Sequence, residues 1–72
     1  MDEIITIADM NLVYQVTDDL GIDRETVRVE LAKEDPGWVQ RGKGGTWEMA
    51  LPLTIPLQEW LPVLRRELEG LL

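Results

Sequence analysis

The sequence predicts a small α+β domain of helix–hairpin–helix type, αββα, with both helices laid on one face of an antiparallel sheet. Three observations predict it. Apolar residues recur at helical spacing near each end of the chain, strict apolar–polar alternation fills the middle, and two glycine-containing turns, "EDPG" and "GKGG", punctuate the alternating runs. At 72 residues the chain reads as a single domain, and a chain of that size buries only about 60% of the surface its unfolded form exposes.

The first helix is announced by its cap. Thr6 followed three residues later by Asp9 matches a capping box, in which each side chain satisfies an otherwise orphaned backbone N–H, and Ile5 and Met10 occupy the staple positions beside it. From Ile7 to Leu20 the residues Leu12, Val13, Val16 and Leu20 form one apolar stripe, with Asn11, Gln15 and Asp18 opposite. Gly21 supplies a left-handed stop, after which Ile22 can fold back on Val16. Residues 2–5 fit either a short strand or an arm.

In "TVRVELAK" the residues Val27, Val29 and Leu31 fall on one face of a half-buried strand, with Arg28, Glu30 and Ala32 on the other. In "TWEMALPLTI" the inward set is Trp47, Met49, Leu51, Leu53 and Ile55. Pro52 cannot donate to a ladder, so this strand should lie at an edge or lose its pairing there. Between them "WVQR" reads as a short extra strand or as the side of a long hairpin loop. Pro56 then opens the second helix, whose stripe is Leu57, Trp60, Leu61, Leu64, Leu68 and Leu71. Pro62 interrupts that helix without shifting the phase of the stripe, which predicts one kinked helix. Leu71 and Leu72 beyond Gly70, with Trp60 and Val63 widening the stripe, offer a surface for a homodimer.

Composition narrows the function. The chain has neither cysteine nor histidine, which removes disulfides, thiolate and imidazole metal sites and the usual proton shuttle. A carboxylate acid–base pair would need a shielded cleft that a core this small hardly accommodates. The expectation is a non-catalytic protein with no cofactor and no metal. No run of 18 apolar residues occurs, and "MDEIITI" begins with acids where a secretory signal would be basic, so a cytoplasmic protein without a membrane partner is expected. Net charge is −7, which argues against wrapping a nucleic-acid backbone with the whole surface.

The stretch "GWVQRGKG", Gly37 to Gly44, nearly matches the phosphate-binding loop G-x-x-x-x-G-K-[ST]. Gly44 stands where the magnesium-holding hydroxyl should be, and an alternating strand pattern follows where a helix is required. The match is therefore a product of a glycine-rich hairpin tip. The same region has another property. From Pro36 to Trp47 the only charges are Arg41 and Lys43, so this segment carries +2 and the remainder −9, giving the total of −7. Trp38 and Trp47 bracket it, and aromatics beside cations suit a single-strand nucleic-acid platform or a protein contact. Alternation assigns Trp47 inward, which leaves Trp38, Arg41 and Lys43 as the candidate contact residues.

A second group is Asp18, Asp19, Asp23 and Glu25. Two aspartates in the last turn of a helix oppose its dipole, their spacing does not fit an EF-hand loop, and a basic partner surface is one thing that would reward them. The leading expectation is an acidic protein-interaction module, an adaptor, inhibitor or immunity-type regulator. In it Asp18, Asp19, Asp23 and Glu25 steer a basic partner while Trp38, Arg41 and Lys43 supply close contact. The alternative is a nucleic-acid-binding module using the hairpin 36–47.

Overall fold

The computed structural model describes residues 4–72. In chain order it comprises helix α1 (Ile7–Asp19), a 3-10 turn (Arg24–Thr26), strand β1 (Val27–Val29), strand β2 (Trp38–Arg41), a second 3-10 turn (Lys43–Gly45), strand β3 (Trp47–Ala50) and helix α2 (Leu57–Leu71). The caps behave as their residues dictate. The Thr6 hydroxyl accepts from the Asp9 N–H and the Asp9 carboxylate accepts from the Thr6 N–H, each at 3.1 Å. At the other end of α1, Gly21 takes φ +76, and the Gly21 and Ile22 N–H groups donate to the Asp18 and Thr17 carbonyls. This is a Schellman stop, and it returns Ile22 to the core.

The sheet differs from an antiparallel hairpin. Its order is β1-β3-β2, with β1 parallel to β3 and β2 antiparallel to it. The piece "WVQR" is a strand in its own right, on the far side of β3, so the two long alternating runs run side by side in the same direction. The chain leaves β1, crosses the C-terminal end of β3, descends as β2 and returns through the tip as β3 in the centre. The central position goes to the most apolar strand. Trp47, Met49, Ala50 and Leu51 are all buried, and their burial outweighs the edge preference that Pro52 suggested. Pairing with β2 ends at Ala50, short of the proline.

Two further expectations are corrected. Leu31 is 82% exposed, not inward, because β1 stops at Val29. Continuing the parallel register from Val29–Met49 would bring the residue 32 N–H to the Leu51 carbonyl, yet Glu34 donates there. The extra two residues make an excursion over 31–33, which turns Leu31 outward. Ile4 and Ile5 pair with this excursion through an Ile4–Ala32 bridge and an Ile5 N–H to Leu31 carbonyl bond. Of the segment 2–5, residues 2 and 3 lie outside the described residues. Leu53 and Ile55 are likewise exposed, because the Asp35 carboxylate accepts from the N–H groups of Leu53 and Thr54 and from the Thr54 hydroxyl at 2.7–2.9 Å, bending the chain away from the strand line.

The core joins Val13 and Val16 of α1, Val27, Trp47 and Met49 of the sheet, Ile22 and Leu51, and Trp60, Leu64 and Leu68 of α2. Burying a leucine such as Leu64 contributes about 1.5–3 kcal/mol. Thr17 is fully buried among these apolar groups, its hydroxyl donating to the Tyr14 carbonyl. Helix α2 is continuous through Pro62, which sits on its exposed side, and it runs past Gly70 to Leu71. Gly70 is therefore not its stop. Gly37 is required where it stands. Its φ is +81, and a Cβ there would lie 2.9 Å from the Trp60 ring and 3.0 Å from the Ala50 carbonyl oxygen.

Candidate functional site

Register assigns the side chains of the sheet. Val27, Val29, Val39, Arg41, Trp47 and Met49 share the helix-covered face, and Arg28, Gln40 and Glu48 form a row across the opposite face. On that opposite face, Gln40 donates to the Glu48 carboxylate at 2.9 Å. A shallow depression runs from this face to the β2 edge, at the end where β2 turns into β3, lined by Arg28, Glu30, Leu31, Arg41, Lys43 and Glu48 among others.

Ion pairing divides the cations. Arg24 pairs with Asp18 at 2.6 Å, Lys33 with Asp9 at 3.2 Å and Arg65 with Asp19 at 2.8 Å. Among the described residues Arg28, Arg41, Lys43 and Arg66 make no salt bridge, and the first three line the same depression. Arg41 lies over the Trp47 ring, 4.0 Å from its centroid. The stack is a cation–π contact between residues directly opposite on β2 and β3. It leaves the guanidinium N–H groups available at the strand edge.

The residues expected to act divide in the same way. Trp38 is half-buried, and its indole N–H donates to the Glu34 carboxylate at 2.6 Å. Trp47 is 4% exposed. Neither ring is a free stacking platform. Arg41 and Lys43 do meet on one surface, at the edge and tip of β2. Three of the four acids are occupied internally. Asp18 takes two bonds from Arg24, Asp19 takes one from Arg65, and Asp23 caps the 3-10 turn by accepting from the Glu25 N–H at 2.9 Å. The last-turn aspartates that oppose the α1 dipole are thus compensated by two arginines of the same chain. Glu25 is exposed. Because Val27, Trp47 and Arg41 are register partners, the acidic turn and the cationic tip stand at the same end of the sheet.

Hydrogen bonding moves several carboxyls. Arg24's hydrogen bond, chiefly, holds Asp18 below the usual aspartate range, its charge adding to the effect against a smaller opposing contribution from desolvation. Burial alone would raise Asp9, but the Thr6 N–H and the Lys33 ammonium outweigh it and lower the net value. Asp35 is lowered first by the Thr54 N–H, against desolvation, with the Leu53 N–H and Thr54 hydroxyl assisting.

The tip confirms that the near-match to a phosphate-binding loop is coincidental. Gly37 to Gly44 spans β2 and a 3-10 turn, and strand β3 follows. Among the described residues no group of three or more acidic side chains is placed to hold a metal, and no helix is long and apolar enough to cross a membrane. Arg28 and Leu31 belong to this surface although neither was singled out from the sequence. Alternation had already turned Arg28 outward, whereas nothing in the local pattern signals the excursion that exposes Leu31.

No family model matches this sequence, and no curated protein or solved structure matches it either.

Proposed function

We propose that the chain is a non-catalytic protein-interaction module whose contact surface is the sheet face and β2 edge around Arg28, Arg41 and Lys43. One observation carries this reading: three cations that make no salt bridge among the described residues line one depression at the end of the sheet, Arg28 from its exposed face and Arg41 and Lys43 from the β2 edge and tip, in a chain of net charge −7 that pairs Arg24, Lys33 and Arg65 with its own acids. Exposed Arg28 and Leu31 give that surface one guanidinium for carboxylate recognition and one apolar contact. The acidic corner, with Glu25 as its exposed member, acts at longer range by orienting an approaching partner. Glu30 and Glu48 in the same depression favour a polypeptide, with charges of both signs, over a uniformly anionic phosphate backbone. The nucleic-acid alternative is further weakened by the burial of Trp47 and the tether on Trp38.

The test is affinity capture with the tagged full chain, run with and without nuclease, comparing wild type with Arg28→Glu/Lys43→Glu. A nuclease-resistant protein retained by wild type and lost by the variant is the expected result. Capture that disappears on nuclease treatment would transfer the surface to nucleic acid.

A further inference from the structure

We infer that the free edge of β2 takes up an extended segment of the protein partner as a fourth strand, and that the segment carries an apolar residue and, two positions away, an acidic one. This deepens the interaction reading and rests on it. The edge can be defined group by group. The Gly42 N–H donates to the Thr46 carbonyl at 2.9 Å, which makes Gly42–Thr46 a hydrogen-bonded pair of the antiparallel ladder. Alternation then makes Gln40–Glu48 and Trp38–Ala50 the bonded pairs, and turns the N–H and C=O groups of Val39 and Arg41 away from β3. The other side of β3 agrees, since the Met49 carbonyl, opposite Val39, accepts from Glu30 on the β1 side. Val39 and Arg41 therefore present a row of backbone donors and acceptors, the template on which an extended peptide adds to a sheet.

The β1 side is less open. Ile4 and Ile5 already pair with the chain immediately beyond β1.

Side chains say what the added strand carries. On the helix-covered face a groove runs beside the edge, lined by Pro36, Trp38, Val39, Trp60 and Val63, with Glu67 also lining it. Those apolar walls accept an apolar side chain, and Glu67 disfavours an acidic one there. Two residues further along the same face stands Arg41, followed by Lys43 at the tip, within a segment Pro36–Trp47 that contains no carboxylate. A guest residue reaching Arg41 is therefore acidic. Because Val39 and Arg41 are two apart on one face, the two guest residues are also two apart.

The probe is a random dodecapeptide library displayed on phage and panned on the immobilised full chain, followed by titration of a recovered synthetic peptide into the 15N-labelled protein. Enriched sequences should share the apolar-x-acidic spacing, and the peptide should shift the Val39 and Arg41 amides and slow their exchange with solvent. N-methylating alternate peptide residues should weaken binding about tenfold or more in one phase and leave the other unchanged, a signature that a side-chain contact alone does not produce. Lys43→Glu should weaken the same peptide while the amide spectrum stays dispersed. Failure to enrich any peptide, indifference to the phase of N-methylation, or shifts confined to the Arg28 side would overturn strand addition. An oligonucleotide that moves the Val39 and Arg41 amides where peptides do not would also overturn it. A protein partner captured through Arg28 while the β2 amides stay silent would sink strand addition alone and leave the interaction module standing.

Discussion

The acidic corner and the cationic edge carry net charge of opposite sign, and they put it to opposite uses. At the corner, Asp18, Asp19 and Asp23 close a helix end, tie α2 to α1 and cap a turn. At the edge, Arg41 and Lys43 close nothing that requires a carboxylate, and Arg28 joins them from across the sheet. A run of charge in sequence reports density, whereas availability depends on whether an opposite charge elsewhere in the fold reaches it. Arg65 lies 46 positions after Asp19 and reaches it all the same.

Substitutions that sharpen this contrast range from large to small. Both regions hang on the same core, so Leu64→Ala should cost about 2–5 kcal/mol and collapse corner and edge together in urea unfolding. A loss below the bottom of that range would mean that α2 is not the common support. Thr6→Ala removes only the α1 cap and should cost about 1 kcal/mol by the same measurement, leaving the β2 amide resonances in place. Acid tests the carboxyls, Asp18 of the corner among them. Asp9, Asp18 and Asp35 are all lowered in the folded chain, so the stability they confer is complete above the unfolded aspartate value of about 3.9 and is lost as pH falls through their lower folded values. Thermal unfolding between neutral and acid pH should show that loss, and Asp18→Asn should remove the share that Asp18 contributes. The smallest effect is on stability at the edge itself: Lys43→Glu should stay within about 0.5 kcal/mol of wild type, even as it abolishes partner capture.

Local chemistry was legible in the sequence wherever a few neighbouring residues decide the outcome. The Thr6–Asp9 box, the Gly21 stop, the α2 stripe and the inward Trp47 all follow from spacing alone. Strand order was not legible, because adjacency of β1 and β3 depends on an eight-residue passage over the end of β3 and on the Glu34 to Leu51 bond that anchors it. Leu53 and Ile55 continued the alternation perfectly, yet Asp35, 18 and 19 positions from the backbone groups it holds, bends that segment away. On the site, Arg41 and Lys43 were found from an acid-free stretch, whereas the neutralisation of the acidic cluster required tertiary partners that no local pattern names.

The late insertion of β3 also sets an order of assembly. Its hairpin with β2 closes across the short tip, but its partnership with β1 joins Val27 to Trp47, 47 − 27 = 20 positions apart, and loop closure costs more as the enclosed chain lengthens. Strand β1 has no sheet to join until the hairpin exists. The hairpin is then the natural folding nucleus, with β1 and α1 docking on it afterwards, so changes in the Gly42–Thr46 turn should act on the rate of folding and changes in α1 on the rate of unfolding.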